Sequence, residues 1–294
     1  MRIFSLQILM LLLAFVSCKG KSDQQKESNK TVQLANKMDQ SIFNSISEIA
    51  KEQSFSKLGN ADRTVEVGKM FLQTPYLGGT LETGDDEKLV VNLRELDCTT
   101  YLENVVVLSS ILKQNNFSVN DFLIKLKELR YRKGEIKDYA SRLHYFSDWI
   151  YENEQKGIVQ NVTSEIGGVE YKKEINFMSN HVDSYAALKA DSLLIVSIQD
   201  TEDAINRRDL FYIPEDNIQA VENKIYNGDL IAITTKIKGL DVSHVGIAIH
   251  VNDRLHLMHA SSLAKKVVIS DIPLYEMLKT NKLQSGIMVA RVVD

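Results

Sequence analysis

The sequence predicts an α+β fold. Apolar residues at helical spacing dominate its first half, and its last third holds β-type apolar runs separated by turn residues. No Pro/Gly-rich linker divides residues 32–294, so they read as one domain with an N-terminal helical extension. That opening helix is expected over 32–53, where Met38, Ile42, Phe43, Ile46 and Ile49 follow helical intervals. A second is expected over 61–73, with Asn60 as its N-cap and Thr74-Pro75 as its stop. Residues 75–80 (PYLGGT) read as a loop, 81–88 as a polar excursion, and 88–93 (KLVVNL) as a short strand. Asp97-Cys98 opens an apolar helix ending at Asn115-Asn116, and further helices fit 119–130 and 137–155. The region 165–224 is mixed, with strand-like runs at 193–198 (LLIVSI) and 211–213 (FYI). Strands are expected at 229–235, 244–251, 255–261 and 286–293, with Asn252-Asp253 turning between the middle two.

Composition excludes several function classes. The chain has 294 residues, 44% hydrophobic and 25% charged, which is incompatible with disorder along its whole length. Its net charge is −4 and no Lys/Arg cluster stands out, so nucleic acid is not expected as a partner. Two cysteines cannot build a disulfide framework or a four-thiolate zinc site. There is no HExxH, G-x-S-x-G, P-loop or G-x-G-x-x-G, and neither a metal nor an organic cofactor is expected. Monomer is the default state.

Residues 1–17 have the layout of an export signal: Arg2, an apolar run from Ile8 to Val16, then Ser17 before Cys18. The run is short for a spanning helix. FVSC resembles the lipobox of bacterial lipoproteins, with Phe15 where Leu is usual, and this implies lipidation of Cys18. The polar stretch up to residue 31 suits a tether between the lipid and a soluble domain. The expected location is therefore exported and membrane-anchored at the cell envelope, on the periplasmic face. With Cys18 lipidated, Cys98 is left without a disulfide partner.

Cys98 follows Asp97, a good N-cap, and so falls in the first turn of a helix. There free backbone N–H groups and the helix dipole favour thiolate, which makes Cys98 a candidate nucleophile. Of the six histidines, His244 and His259 are expected near the same open end of one hairpin. One can serve as general base and the other can orient it. Gly246 and Ala248 share the face of His244, and these small residues would admit the Cys-bearing helix. A lone histidine is more often structural, and His144, His181, His250 and His256 are read that way. A metal site of His244, His256 and His259 is disfavoured by strand alternation.

Five blocks in order carry a resemblance: PYLGGT (75–80), LDCTTYLEN (96–104), GDL (228–230), SHVGIAI (243–249) and LMHASS (257–262). They resemble the signature of the NlpC/P60 cysteine peptidases, papain-like cell-wall hydrolases, although Thr99-Thr100 stands where Ser-Gly is usual. Together with NLRELDCTTYLE (92–103), SRLHYFSDWI (141–150) and NFMSNHVDSY (176–185), they are similar to one branch, the DUF1460 family of N-acetylmuramoyl-L-alanine amidase-like proteins. The resemblance implies a papain-like core with a large helical and mixed insertion, whose 105–225 segment builds a restrictive pocket. It implies hydrolysis of the amide joining N-acetylmuramic acid to L-Ala, in peptidoglycan or its fragments. Cys98 matches the nucleophile, His244 the general base, His259 the residue that orients it, and Tyr76 a substrate or oxyanion contact. Anionic stem peptides would call for cations, with Arg94, Arg142 and Arg207 as candidates. Trp149 and Tyr145 are weighed between sugar stacking and the core, the core being favoured. The rival functions are cleavage between γ-D-Glu and the diamino acid, and non-catalytic binding of muropeptides.

Overall fold

The computed structural model describes residues 33–82 and 86–293. The expected export signal, Cys18 and the tether lie outside the described residues.

The first helix, α1 (Lys37–Glu52), is capped by Asn36, whose side chain accepts from the N–H groups of Met38 and Asp39. Next, α2 (Asn60–Met70) stops three residues short of the expected end, because Gln73 adopts a φ of 73°. Gly59, not Asn60, occupies its N-cap; the Asn60 carbonyl instead accepts from the Arg63 guanidinium. The strand expected at 88–93 does not form. That segment is extended, but side chains satisfy its backbone: Leu93 N–H donates to Asp39 at 2.9 Å, and Val90 C=O accepts from Arg130 at 2.6 Å.

The central helix is α3 (Cys98–Ile111), followed by α4 (Val119–Arg130). Eleven of the fourteen residues of α3 are buried, polar ones among them, the pattern of a helix enclosed by other elements. A single helix over 137–155 is replaced by a 3-10 turn at Tyr139–Ser141 and then α5 (Phe146–Gln155). Asp138 closes that turn by a capping box with Ser141. Beyond it lie β1 (Val159–Asn161), β2 (Val169–Glu170), α6 (Phe177–Asn180), α7 (Ala186–Ala190) and α8 (Ser192–Asn206). The strand expected at 193–198 is thus the start of α8. Asp191 caps it at Leu193 N–H, and Ile198, Glu202 and Ile205 bury one helical face. A six-residue run with five apolar positions cannot by itself distinguish the two periods.

The remaining elements are β3 (Phe211–Pro214), α9 (Ile218–Val221), β4 (Leu230–Thr235), β5 (Val242–Val251), β6 (Arg254–Ser261), β7 (Lys266–Ile269), α10 (Leu274–Lys279) and β8 (Gln284–Val292). The described strands form one antiparallel sheet in the order β2-β3-β8-β4-β5-β6-β7, with β1 also paired to β8. Asn252 and Asp253, with φ of 49° and 62°, make the tight turn from β5 to β6.

Two layers cover the sheet. On one face Tyr101, Leu102 and Val105 of α3 share a core with Val245, Ile247, Met258 and Ala260. Alternate strand residues, including Ala248, Leu255 and Leu257, join Leu274 and Leu278 of α10 in a second core. The expectation that Gly246 and Ala248 admit the Cys-bearing helix is therefore corrected: α3 packs on the opposite alternation, against Val245 and Ile247.

The GDL block has a structural basis. Gly228 has a φ of 86°, and a Cβ there would lie 2.7 Å from Ala61 C=O. Asp229 accepts from Tyr226 N–H at 2.8 Å and pairs with Arg291 at 2.8 Å. Gly228→Ala combines backbone strain with a clash, so a loss of about 2 kcal/mol is expected, read as a lower urea midpoint at unchanged slope.

Candidate active site

The site begins with the cap of α3. Asp97 accepts from Thr100 N–H at 2.8 Å, and Thr100 Oγ1 accepts from Asp97 N–H at 3.0 Å, a complete capping box. Cys98 is thereby held in the first helical turn, partly exposed. Its sulfur lies against the start of β5, where the Val245 N–H points at it, and Thr99 contributes its own N–H and hydroxyl. Val245 directly follows His244, so the helix end and the histidine strand meet at the thiol.

The strand is shaped for this meeting. Ile233 pairs with His244 but Thr234 pairs with Val242, which leaves Ser243 as an extra residue. Such a bulge bends the strand and re-aims the adjacent side chain. The two imidazoles then meet: His244 Nε2 lies 2.6 Å from His259 Nδ1, with the rings edge-on at 88°. Tyr76 completes the group, since the Cys98 and Asp97 charges both act on its hydroxyl. Its loop is pinned to the far hairpin, because Tyr76 N–H donates to Lys265 C=O at 2.9 Å and Pro75 bridges to Lys266.

The electrostatics correct one expectation. The Cys98 thiol is pushed up to about 11, first by burial and then by the Asp97 carboxylate; the Val245 and Thr99 donors offset only part of this. The dipole argument omitted the negative charge carried by the capping residue itself. Burial also pushes His244 down to about 3, with a contribution from His259, and His259 to about 4. The resting site therefore holds a neutral thiol and two neutral imidazoles. Tyr76 is likewise raised, by burial first, and so stays a hydroxyl donor.

This has a direct pH consequence. A thiol whose pKa is raised is protonated at neutral pH, and its thiolate fraction grows about tenfold per pH unit until the pKa is reached. Alkylation of Cys98 by iodoacetamide is therefore expected to be slow at pH 7 and to climb steadily towards about pH 11. A rate plateau extending below pH 7 would show a preformed thiolate instead.

His244 and His259 open onto a cleft of about 1290 Å³, lined also by Gln73, Ser261, Lys266 and Asp271. None of residues 105–225 lines this cleft, and neither Cys98 nor Tyr76 is among its lining residues. The three candidate arginines do not line it either. Arg94 pairs with buried Asp39, Arg142 pairs with Glu82 at 2.6 Å and covers the Tyr139 ring, and Arg207, whose backbone N–H caps α8, lines a different pocket. Tyr145 is buried and donates to Glu202 at 2.6 Å; Trp149 is buried, stacks on Phe146, and donates to Glu103 at 3.1 Å. Both aromatics belong to the core. The other histidines bond elsewhere: His144 to Tyr139 C=O, His181 to Phe177 C=O, His250 to Asn227 and His256 to Ser270 C=O. Sequence reasoning missed Thr99, Val245 N–H and Lys266. Only Lys266 carried a usable signal, its alternation with Val268 on a strand beside that of His259.

The structure is an α+β protein in which a helix-borne thiol docks on the strand that carries one of two paired histidines. The chain belongs to the AmiA-like, N-acetylmuramoyl-L-alanine amidase-like family, whose family model matches residues 66–287. It is similar to the crystal structure of an N-acetylmuramoyl-L-alanine amidase from Bacteroides uniformis, at 36% identity and a TM-score of 0.76, over 80% of this chain and 99% of that one. A "putative xylanase" from Bacteroides fragilis is 39% identical, with a TM-score of 0.74, over 78% of this chain and 100% of that one. A Legionella pneumophila protein of the DUF1460 family shares the fold at 24% identity and a TM-score of 0.66, over 85% and 94% of the two chains. No curated protein matches the chain.

Proposed function

We propose that the chain is a cysteine amidohydrolase of the NlpC/P60 kind, which cleaves the amide between N-acetylmuramic acid and L-Ala in peptidoglycan or its fragments. One observation carries the reading: the backbone N–H of Val245, the residue after His244, points at the Cys98 sulfur, and His244 Nε2 lies 2.6 Å from His259 Nδ1. The name of the family and that of the Bacteroides uniformis neighbour support this choice of bond.

The tautomers follow from the geometry. For His244 Nδ1 to accept the thiol proton, Nε2–H must donate to His259 Nδ1, which in turn leaves the His259 proton on Nε2. His244 then takes the proton as Cys98 sulfur attacks the lactyl carbonyl, so no thiolate need exist beforehand. Charge on the carbonyl oxygen is met by N–H groups at the α3 start and by the Tyr76 hydroxyl. His244 passes its proton to the departing L-Ala amine, and the C–N bond breaks to leave a thioester on Cys98. Water, deprotonated by His244, releases the sugar acid and restores the thiol.

The same residues would serve an endopeptidase, and the family assignment favours the amidase. A glycosidase reading needs two carboxylates facing each other across the bond; among the described residues lining the cleft, Asp271 is the sole carboxylate. Export through residues 1–17 and anchoring through lipidated Cys18 complete the proposal and place the hydrolase at the cell envelope. The test is mass spectrometry of defined muropeptides after incubation with residues 19–294. Stem peptide beginning at L-Ala, with bare sugar, supports the amidase. L-Ala-D-Glu left on the sugar moves the function to the endopeptidase, and binding without cleavage of either bond overturns catalysis.

A further inference from the structure

The cleft raises a question of charge. A stem peptide is anionic, yet of the three arginines offered to it Arg94 and Arg142 are paired with acids elsewhere and Arg207 lines a different pocket. Among the described residues lining the cleft, the one lysine or arginine is Lys266. It makes no ion pair with any described residue, although Asp271 lines the same cleft.

Its placement is built into the sheet. In the β6–β7 pairing Lys266 lies opposite Ser261, and Val268 lies opposite His259. Lys266 and Val268 are two residues apart and share a face, so Lys266 is the diagonal neighbour of His259, at a Cβ separation of about 7 Å. Its base is rigid, because Val267 exchanges backbone hydrogen bonds with Gln73 and Thr74 at 2.9 Å, and Pro75 bridges to Lys266 itself. One strand therefore joins the lysine to both His259 and the Tyr76 loop.

We propose that Lys266 is a specificity-determining residue that reads the free α-carboxylate of the second stem residue, D-Glu. This rests on the amidase reading above. In L-Ala-γ-D-Glu that carboxylate follows the scissile nitrogen by two residues, at most about 7 Å along an extended chain. The diagonal offset from the histidine pair matches that reach. A lysine ammonium in a partly enclosed cleft favours a carboxylate over its neutral amide through a charge-assisted hydrogen bond. Such a bond distinguishes ligands by roughly tenfold to a hundredfold.

The experiment compares two disaccharide muropeptides, one with D-Glu and one with D-isoglutamine at the second position. Wild-type protein is expected to prefer the acid by at least about tenfold in kcat/KM, with the difference mainly in KM. Lys266→Ala should reduce that preference to near one, and Lys266→Arg should restore most of it. Raising salt should erode the wild-type preference but not the ratio left in Lys266→Ala. Equal losses on both substrates, or a preference that survives Lys266→Ala, would overturn the assignment. If wild-type protein cleaves neither substrate, the amidase reading fails, and calorimetry with free L-Ala-γ-D-Glu and its isoglutamine form decides Lys266 separately. Tighter binding of the acid that disappears in Lys266→Ala sustains the lysine's role; equal binding of the two ends it.

Discussion

Cys98→Ala is expected to remove muropeptide cleavage by about 10⁴-fold or more while leaving the fold in place. The size of the loss follows from the chemistry, because without the sulfur no acyl-enzyme forms and the remaining donors can only polarise the carbonyl. The fold should survive because the groups holding α3 do not include the thiol. Its cap is the Asp97–Thr100 box, and its packing comes from Tyr101, Leu102 and Val105. Circular dichroism and the urea midpoint should stay close to wild type, while product formation by mass spectrometry falls to background. Cys98→Ser should be nearly as inactive, since a hydroxyl is far harder to deprotonate than a thiol already held at about 11. Retention of more than a few per cent of activity in Cys98→Ala would end the nucleophile assignment.

The second large effect is expected at His259, which the proposed mechanism makes a positioning residue. In that mechanism its Nδ1, 2.6 Å from His244 Nε2, accepts the Nε2–H and so selects the tautomer whose Nδ1 is free to act as base. His259→Ala should lower kcat by about 10²- to 10³-fold with little change in KM, since nothing then holds the His244 imidazole in the competent tautomer and orientation. His259→Gln presents an amide oxygen to the same proton and should recover part of the loss. Removing His259 also removes one cause of the depressed His244 pKa, so the acid limb of kcat/KM should move to higher pH. The direction is unambiguous: a less depressed base protonates at higher pH and is lost earlier on acidification. A purely structural role would lower stability without moving that limb.

The pKa values give the site a coherent character. Burial keeps His244 and His259 neutral well below the ordinary histidine range and keeps Cys98 protonated well above the ordinary thiol range. General-base attack from a neutral pair is the route this environment favours, as separated charges would be poorly solvated there.

Several features were legible in the sequence because their causes are local. Asp97 and Thr100 sit three residues apart, so the cap of α3 and the place of Cys98 in its first turn follow from spacing. Asn252-Asp253 between two β runs specifies the hairpin, and period-2 alternation puts His244 and His259 on one face. The blocks that carried the family resemblance fall largely within the matched residues 66–287, which accords with the family assignment.

The misreadings have a shared origin in partners distant along the chain. Residues 88–93 have strand-like side chains, but Asp39 and Arg130 take their backbone groups and no neighbouring strand is left to pair. The run 193–198 became helix because its burial depends on Ile198, Glu202 and Ile205, which meet Tyr145 and Met178 from elsewhere in the chain. Arg94 and Arg142 look available in sequence, whereas folding gives them to Asp39 and Glu82.

What the sequence by itself determined was therefore the α+β class, the helix-borne thiol, the histidine hairpin and the family blocks, all encoded by caps, turns and periodicities spanning a few residues. Only the tertiary structure decided the bulge before His244, the face on which α3 packs, the neutral charge state of the thiol and imidazoles, and the lysine that stands in the cleft. Those depend on desolvation, on strand register and on the docking of α3 against a strand more than 100 residues further along the chain, and no local pattern carries that information.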